Sequence, residues 1–504
     1  MGRWLWLTPR GCTVGSFGIR WASGSSPVPA PGSKVLTGSG INANVRNMEY
    51  AVRGKLVQRA DEISRQLRMG SGSFPFSQVV YCNIGNPQSL KQQPLTFVRQ
   101  VLAGCLYPTI RESLPKDAAE RVKQMLDATN GAGLGAYSES KGVGIIREHV
   151  AEFIERRDGH PADPNQIYLT NGASDAVKGV LSMLIRNTRD AVLVPIPQYP
   201  LYSASLTLFG GRLEGYFLNE SSEWGIDIRQ LRHLIQRSQS KGYQVRGLVV
   251  INPGNPTGQL LSEDNMRKIV RLCEQERLVL LADEVYQENV YVENPSFVSF
   301  KKVVRNMGSN VELASFHSTS KGIFGECGLR GGYTELVNFS PDACENMLKL
   351  MSVNLCSSLP GQVALSVMVN PPQPGDVSYE QYTRERTATF ESLKRKADKL
   401  VAALNTFEGV TCNRSVGAMY AFPRIRLPLR ARSYAVNQGL TADQFYALQL
   451  LEETGVCVVP GSGFGQEEGT LHFRTTILPP ESDMDTVIDS MRTFHARFLE
   501  RFHD

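Results

Sequence analysis

The chain has 504 residues, 54 Lys and Arg against 49 Asp and Glu, a net charge of +5 and 41% hydrophobic side chains. That composition is ordinary for a globular protein, and the length allows two or three domains or one large α/β unit with a sizeable core. The positive excess sits at one end: residues 1–48 carry Arg3, Arg10, Arg20, Lys34 and Arg46, the first carboxylate is Glu49, and the remainder is balanced. A balanced body without Lys/Arg blocks lacks the basic face that phosphate neutralisation needs, which argues against nucleic acid as a partner. No apolar run approaches the roughly 20 residues of a membrane-spanning helix, so no membrane partner is expected. The nine cysteines are scattered with no C-x-x-C pair. They fit a reducing compartment and argue against a disulfide framework or a zinc ribbon, and no metal site is expected.

In chain order, residues 1–40 come first. They are acid-free, contain spaced arginines and turn Ser/Gly/Pro-rich, which is the composition of an organelle transit peptide followed by a linker. The apolar stretch at 5–7 meets Pro9 and Arg10 too soon for a secretory signal. Mitochondrial import to the matrix is the expectation, with plastid import and a cytoplasmic tail as alternatives. Val45, Met48, Val52, Leu56, Ala60, Ile63 and Leu67 recur at helical spacing and predict an amphipathic helix over 45–67. Beyond it, β-rich runs at 167–170, 191–195, 212–218, 246–252, 278–283 and 311–318 alternate with helical patterns, which predicts a mostly parallel sheet between helices. The clearest unit runs from the strand at 246–252 through Ser262, a predicted N-cap, into a helix with Met266, Ile269, Val270 and Cys273 on its apolar face. It then enters the strand at 278–283, a right-handed βαβ crossover by default. After Tyr379 a long helical stretch and short strands near 418–424, 456–459 and 471–475 predict a second, α+β domain. The glycine-rich loops at 131–135 and 461–465 lack the strand-to-helix context of a dinucleotide fingerprint.

Four segments stand at the carboxyl ends of predicted strands, the edge where open α/β sheets bind ligands. They are NPGNPTG at 252–258, ADEVY at 282–286, STSK at 318–321, and Arg330 nine residues later. Singly, Asp283 could cap a helix, Asn255 fill a turn, Lys321 lie in solvent and Arg330 pair with an acid. Jointly they describe one cofactor. A lysine amine condenses with an aldehyde, and a buried acid keeps a pyridine nitrogen protonated so that its ring accepts an electron pair. Asn and Tyr suit a ring phenolate, while Ser and Arg suit a phosphate.

These segments resemble the fold-type I, aspartate-aminotransferase-like enzymes that use pyridoxal 5'-phosphate. The resemblance implies an α/β fold with a large, mostly parallel-sheet domain and a smaller α+β domain. It divides the chain into an N-terminal arm with part of the small domain at 41–130, a large cofactor-binding domain at 131–385 and a C-terminal small domain at 386–504. It also implies roles. Lys321 would carry the cofactor and move the proton at substrate Cα, Asp283 would pair with the ring nitrogen, Asn255 and Tyr286 would contact the ring oxygen, and Tyr199 would stack on the ring. Ala173, Ser174 and Asp175 at a helix N-terminus, with Ser318 and Arg330, would hold the phosphate. Tyr137 resembles the tyrosine that reaches the phosphate of the neighbouring subunit, implying a homodimer. Arg474 in LHFRT would hold the substrate α-carboxylate, with the Gly85 backbone and Asn255 beside it.

Longer runs narrow the resemblance to the alanine aminotransferases: NMEYAVRG at 47–54, YCNIGNPQ at 81–88, PLTFVRQ at 94–100, GECGLRGGY at 325–333, NPPQPGD at 370–376 and GAMYAFP at 417–423. Lys91, where glycine is expected, departs from the pattern beside the substrate loop. The implied reaction is L-alanine + 2-oxoglutarate ⇌ pyruvate + L-glutamate, in ping-pong half-reactions on amino acids and 2-oxo acids. Glutamate or alanine:glyoxylate transamination is the near alternative, a lyase on the same fold a further one, and an aminotransferase-like transcription regulator has too short an N-terminal segment to carry a DNA-binding domain.

Overall fold

The computed structural model describes residues 34–50, 54–131 and 133–503. The transit peptide expected at 1–40 lies outside these residues except for 34–40, an exposed turn. The helix expected over 45–67 is two helices, Ala43–Asn47 and Lys55–Arg68, with Met48 extended (φ −70°, ψ 128°) between them. Val45 and Met48 are exposed, whereas Ala60 and Ile63, flanked by Leu56 and Leu67, pack on Leu451 and Cys457. The break has a tertiary cause: the extended turn delivers Tyr50, whose hydroxyl lies 2.6 Å from that of Tyr199.

An eight-stranded sheet forms the centre: β1 Ile167–Asn171, β2 Asp190–Ile196, β3 Arg212–Asn219, β4 Gly225–Ile226, β5 Gln244–Ile251, β6 Val279–Asp283, β7 Leu313–Ser318 and β8 Gly331–Val337. Its order is β1-β8-β7-β6-β5-β2-β3-β4. The six expected strands all run one way, while β8 and the edge strand β4 run antiparallel to their neighbours. β8 escapes the sequence pattern because it opens on two glycines and places Glu335 in its interior. That carboxylate is tolerated because buried Lys301 meets it at 2.5 Å.

The inner strands read as unbroken apolar runs because both faces are covered. Leu193, Leu248, Val250 and Leu280 face one core with the helices Ile228–Ser240 and Glu263–Glu276. Their neighbours Val192, Val194, Val249 and Leu281 face another, against Ala173–Leu184 and Pro341–Ser352. Burying each such side chain contributes about 1.5–3 kcal/mol. Ser262 caps Glu263–Glu276 as expected, its hydroxyl accepting the Asn265 N–H.

A further core gathers the long helix Tyr379–Leu404, the helix Met484–Arg501 and the strands Tyr420–Ala421, Phe473–Thr476 and Val459–Pro460, which form a three-stranded antiparallel sheet. Val80–Tyr81 pairs in parallel with Val456–Cys457. This pairing fixes the segment that continues to Asn83 and Gly85. Among the described residues no helix is long and apolar enough to cross a membrane.

Candidate active site

A cavity of about 710 Å³ opens where these parts meet, at the carboxyl ends of β1, β2, β5, β6 and β7. Ala173, Ser174, Tyr199, Asn255, Asp283, Tyr286, Ser318, Lys321, Arg330, Gly85 and Arg474 all line it. Residues separated by hundreds of positions converge because most stand at or just past the carboxyl ends of parallel strands, while Arg474 comes from within the strand Phe473–Thr476 of the small sheet.

One end is built for an anion. β1 leaves through Gly172 (φ 76°, ψ 167°) into the helix Ala173–Leu184, whose first N–H groups face the cavity at Ala173 and Ser174. The Arg330 guanidinium lies across this helix start, donating to the Asn171 carbonyl at 2.9 Å, the Ser174 hydroxyl at 3.3 Å, the Cys327 carbonyl at 3.1 Å and the Ser320 hydroxyl at 3.5 Å. Every acceptor is neutral, so the cation keeps its charge for a ligand. A Cβ on Gly172 would stand 2.5 Å from Arg330 Nη2 in a backbone region that side chains disfavour. Gly172→Ala is therefore expected to weaken cofactor retention at least about tenfold, equivalent to about 1.4 kcal/mol. Cofactor absorbance after exhaustive dialysis measures it.

On the sheet floor, the Asp283 carboxylate is 6% exposed. Its Oδ2 accepts the Tyr202 hydroxyl at 2.8 Å, while its Oδ1 has no partner among the described residues. Burial pushes this carboxyl above its ordinary range, against the opposing Tyr202 hydrogen bond and the attraction of Lys321. A buried carboxylate with a free oxygen is what a protonated ring nitrogen requires. Together with the amine of Lys321 and the unpaired charge of Arg330, this makes the residues present fit pyridoxal phosphate.

At the other end, Lys321 Nζ donates to the Gly85 carbonyl at 3.0 Å. Arg474 is 1% exposed and meets no carboxylate among the described residues. It donates to Asn255 Oδ1 at 3.0 Å and to the Asn83 carbonyl, leaves Nε without a partner, and lies 4.1 Å over the Tyr420 ring and 4.7 Å over that of Phe464. A guanidinium buried at such desolvation cost without a counter-ion is a site awaiting an anion. Asn255 Nδ2 also donates to the Tyr286 hydroxyl at 3.4 Å.

Two predicted residues are not brought into this cavity. The Asp175 carboxylate turns back to accept the Asn171 N–H at 3.2 Å, a capping contact that fastens β1 to its helix, so it does not face a phosphate. Tyr137 is 77% exposed and lies outside the lining. Conversely, Tyr50, Tyr202, Cys327 and Tyr420 reach the site without having been singled out. All four are placed there by the tertiary fold, Tyr202 by the packing of the helix Leu201–Phe209 that sets its hydroxyl against Asp283. A second opening of about 710 Å³ between Leu95, Glu385 and Glu481 holds none of the predicted residues. Its two carboxylates are already satisfied, Glu385 by Thr96 and Glu481 by Arg395.

Residues 106–491 match the family model for class I and II aminotransferases. The chain is 51% identical over 483 residues to a probable mitochondrial alanine aminotransferase of Dictyostelium discoideum, covering 93% of this chain and 90% of that protein. It is 47% identical to glutamate–glyoxylate aminotransferase 2 of Arabidopsis thaliana, over 94% and 98% of the two chains. Among solved structures, an alanine aminotransferase from Pyrococcus furiosus superposes with a TM-score of 0.73 at 23% identity, over 91% of this chain and all of that one, which establishes the shared fold.

Proposed function

The chain belongs to the class I and II aminotransferases, and on that premise we propose that it interconverts L-alanine and 2-oxoglutarate with pyruvate and L-glutamate, using pyridoxal phosphate. The observation that carries the reading is Arg474, a buried cation with no counter-ion among the described residues, in the same cavity as Lys321. It suits the α-carboxylate common to all four substrates. The relative named alanine aminotransferase at 51% identity supports the choice of alanine.

Pyridoxal phosphate, when bound, supplies an aldehyde for an amine and a protonated ring that accepts the electron pair left at substrate Cα. The chain's own residues do the rest. Arg330, the Ser174 and Ser318 hydroxyls and the N-terminus of the helix Ala173–Leu184 bind the phosphate. Asp283, held by the Tyr202 hydroxyl, would keep the ring nitrogen protonated, and Asn255 and Tyr286 would contact the ring oxygen. Tyr199, steadied by Tyr50, covers the ring. Arg474 grips the α-carboxylate beside the Gly85 backbone, and Lys321 takes and returns the Cα proton.

The outward position of Tyr137 supports a homodimer in which this tyrosine completes the partner's phosphate site. The mitochondrial name of the Dictyostelium relative supports import into the matrix, directed by residues 1–40. The domain division at 41–130, 131–385 and 386–504 is part of the same reading. The Arabidopsis relative favours one second reading, transamination with glyoxylate. An acceptor panel on purified holoenzyme separates the two. With L-alanine as donor, 2-oxoglutarate is expected to give the highest kcat/KM; a higher value with glyoxylate would transfer the assignment to the second reading.

A further inference from the structure

Five phenols line or underlie the cavity, and four have settled hydrogen bonds. Tyr199 is joined to Tyr50 at 2.6 Å, Tyr202 donates to Asp283 at 2.8 Å, and Tyr286 donates to Tyr420 at 3.4 Å. The Tyr420 oxygen only accepts: among the described residues nothing takes its proton. Its position is tightly fixed. The ring is clamped under the Arg474 guanidinium, and a Cβ built on Gly85 would stand 2.2 Å from the Tyr420 hydroxyl and 3.1 Å from Lys321 Nζ. Hydroxyl and amine thus flank the space that a side chain at Gly85 would fill, with Lys321 Nζ donating to the Gly85 carbonyl.

We propose that the Tyr420 hydroxyl and the free Lys321 amine share one proton, so that the pair accepts the substrate Cα proton where an isolated ammonium could not. The step balances without another reactant. An N–H bond of the Lys321 ammonium breaks as an O–H bond forms on the Tyr420 phenolate, both charges cancel, and the vacated nitrogen is free to take the proton from carbon. The inference rests on the assignment of Lys321 as the proton-moving group.

The surroundings favour Tyr420 for this part. The groups that face it are Lys321, Arg474, Tyr286, Tyr199 and Cys327. Burial alone would raise its phenol, but the two cations and the Tyr286 hydrogen bond outweigh burial and lower it. Burial pushes Tyr199, Tyr202 and Tyr286 well above the ordinary phenol range, and it raises the Cys327 thiol. Tyr420 is the neighbour able to give up its proton. Two groups sharing a proton titrate as a pair, and the apparent values belong to both.

Tyr420→Phe tests this, because it keeps the ring under Arg474 and removes only the hydroxyl. In the holoenzyme the acidic limb of kcat is expected to move about one pH unit upward, a roughly tenfold loss near neutrality that recovers as pH rises. KM for L-alanine should hold. Ultraviolet titration of tyrosinate should show one tyrosine ionising ahead of the rest in the parent and none in Tyr420→Phe. Superimposable pH profiles and tyrosinate titrations would overturn the proposal and leave Tyr420 as a platform for Arg474. The tyrosinate titration needs no turnover. If neither protein transfers an amino group, the proposed function fails, and the inference is then decided by Lys321→Ala, in which the early tyrosinate shifts to higher pH if the proton is shared and stays in place if it is not.

Discussion

Lys321→Ala is expected to fold normally and to lose steady-state transamination by more than about a thousandfold, the order a positioned proton-transfer group contributes. The reason lies in what Lys321 does in the protein. Its amine makes one hydrogen bond, to the Gly85 carbonyl, and the side chain is only partly buried. Removing it costs about 1 kcal/mol of stability, while no neighbour can replace the amine. Tyr286 and Tyr420 carry phenols, and Cys327 a thiol raised by burial. Thermal unfolding checks the first half of the expectation and alanine-dependent kinetics the second. Near-normal turnover would remove Lys321 from the mechanism.

Asp283→Asn is expected to separate stability from catalysis. The Asn is isosteric, keeps an oxygen for the Tyr202 hydroxyl and removes a buried charge. Because the folded-state carboxyl is raised, its ionisation works against the cofactor-free fold: this contribution is absent at low pH and grows as pH rises through the carboxylate range. The cofactor-free Asn variant should therefore unfold at a temperature no lower than the parent, and its advantage should widen as pH rises. With cofactor, kcat should fall by at least about a hundredfold, because a neutral amide does not keep the ring nitrogen protonated. Calorimetry on the cofactor-free chains and kinetics on the loaded ones measure the two arms. A drop in unfolding temperature with intact kcat would reverse the account.

Much of this site was readable before any coordinates because its residues are anchored by local rules. Asn255, Asp283, Ser318 and Lys321 each follow a strand whose apolar run announces it, and parallel strands bring their carboxyl ends together. What stayed hidden depends on tertiary contact. Tyr202 looks like one more apolar residue of the helix Leu201–Phe209 until Asp283 is placed beneath it. Tyr420 stands in a recognisable segment, yet its nearness to Lys321 depends on a small sheet formed by strands two to four residues long. The helix over 45–67 failed because Tyr50 is drawn to Tyr199, a contact that no periodicity encodes. Strand β8 was masked by Glu335, whose buried partner Lys301 is 34 residues away. Asp175 stands at the helix start, where its carboxylate serves the Asn171 N–H, a use of a first-turn acid that sequence alone does not distinguish from ligand binding.

The site's two arginines, neither of which meets a carboxylate among the described residues, make a single arrangement. Arg330 faces the helix start and Arg474 the small sheet, with Lys321 in the lining between them, so one cavity holds anchors for two anions beside an amine and a buried acid. A phosphorylated cofactor and a substrate carboxylate use all four. A ligand with one anion would leave one arginine buried or exposed without purpose.

The central claim is amino transfer in two halves on one amine-accepting cofactor, and a single-turnover measurement tests it most directly. Purified holoenzyme mixed with L-alanine alone should release one pyruvate per active site and stop, and added 2-oxoglutarate should restart release with L-glutamate formed in equal amount. No pyruvate from L-alanine, or continuous release without an acceptor, would contradict it.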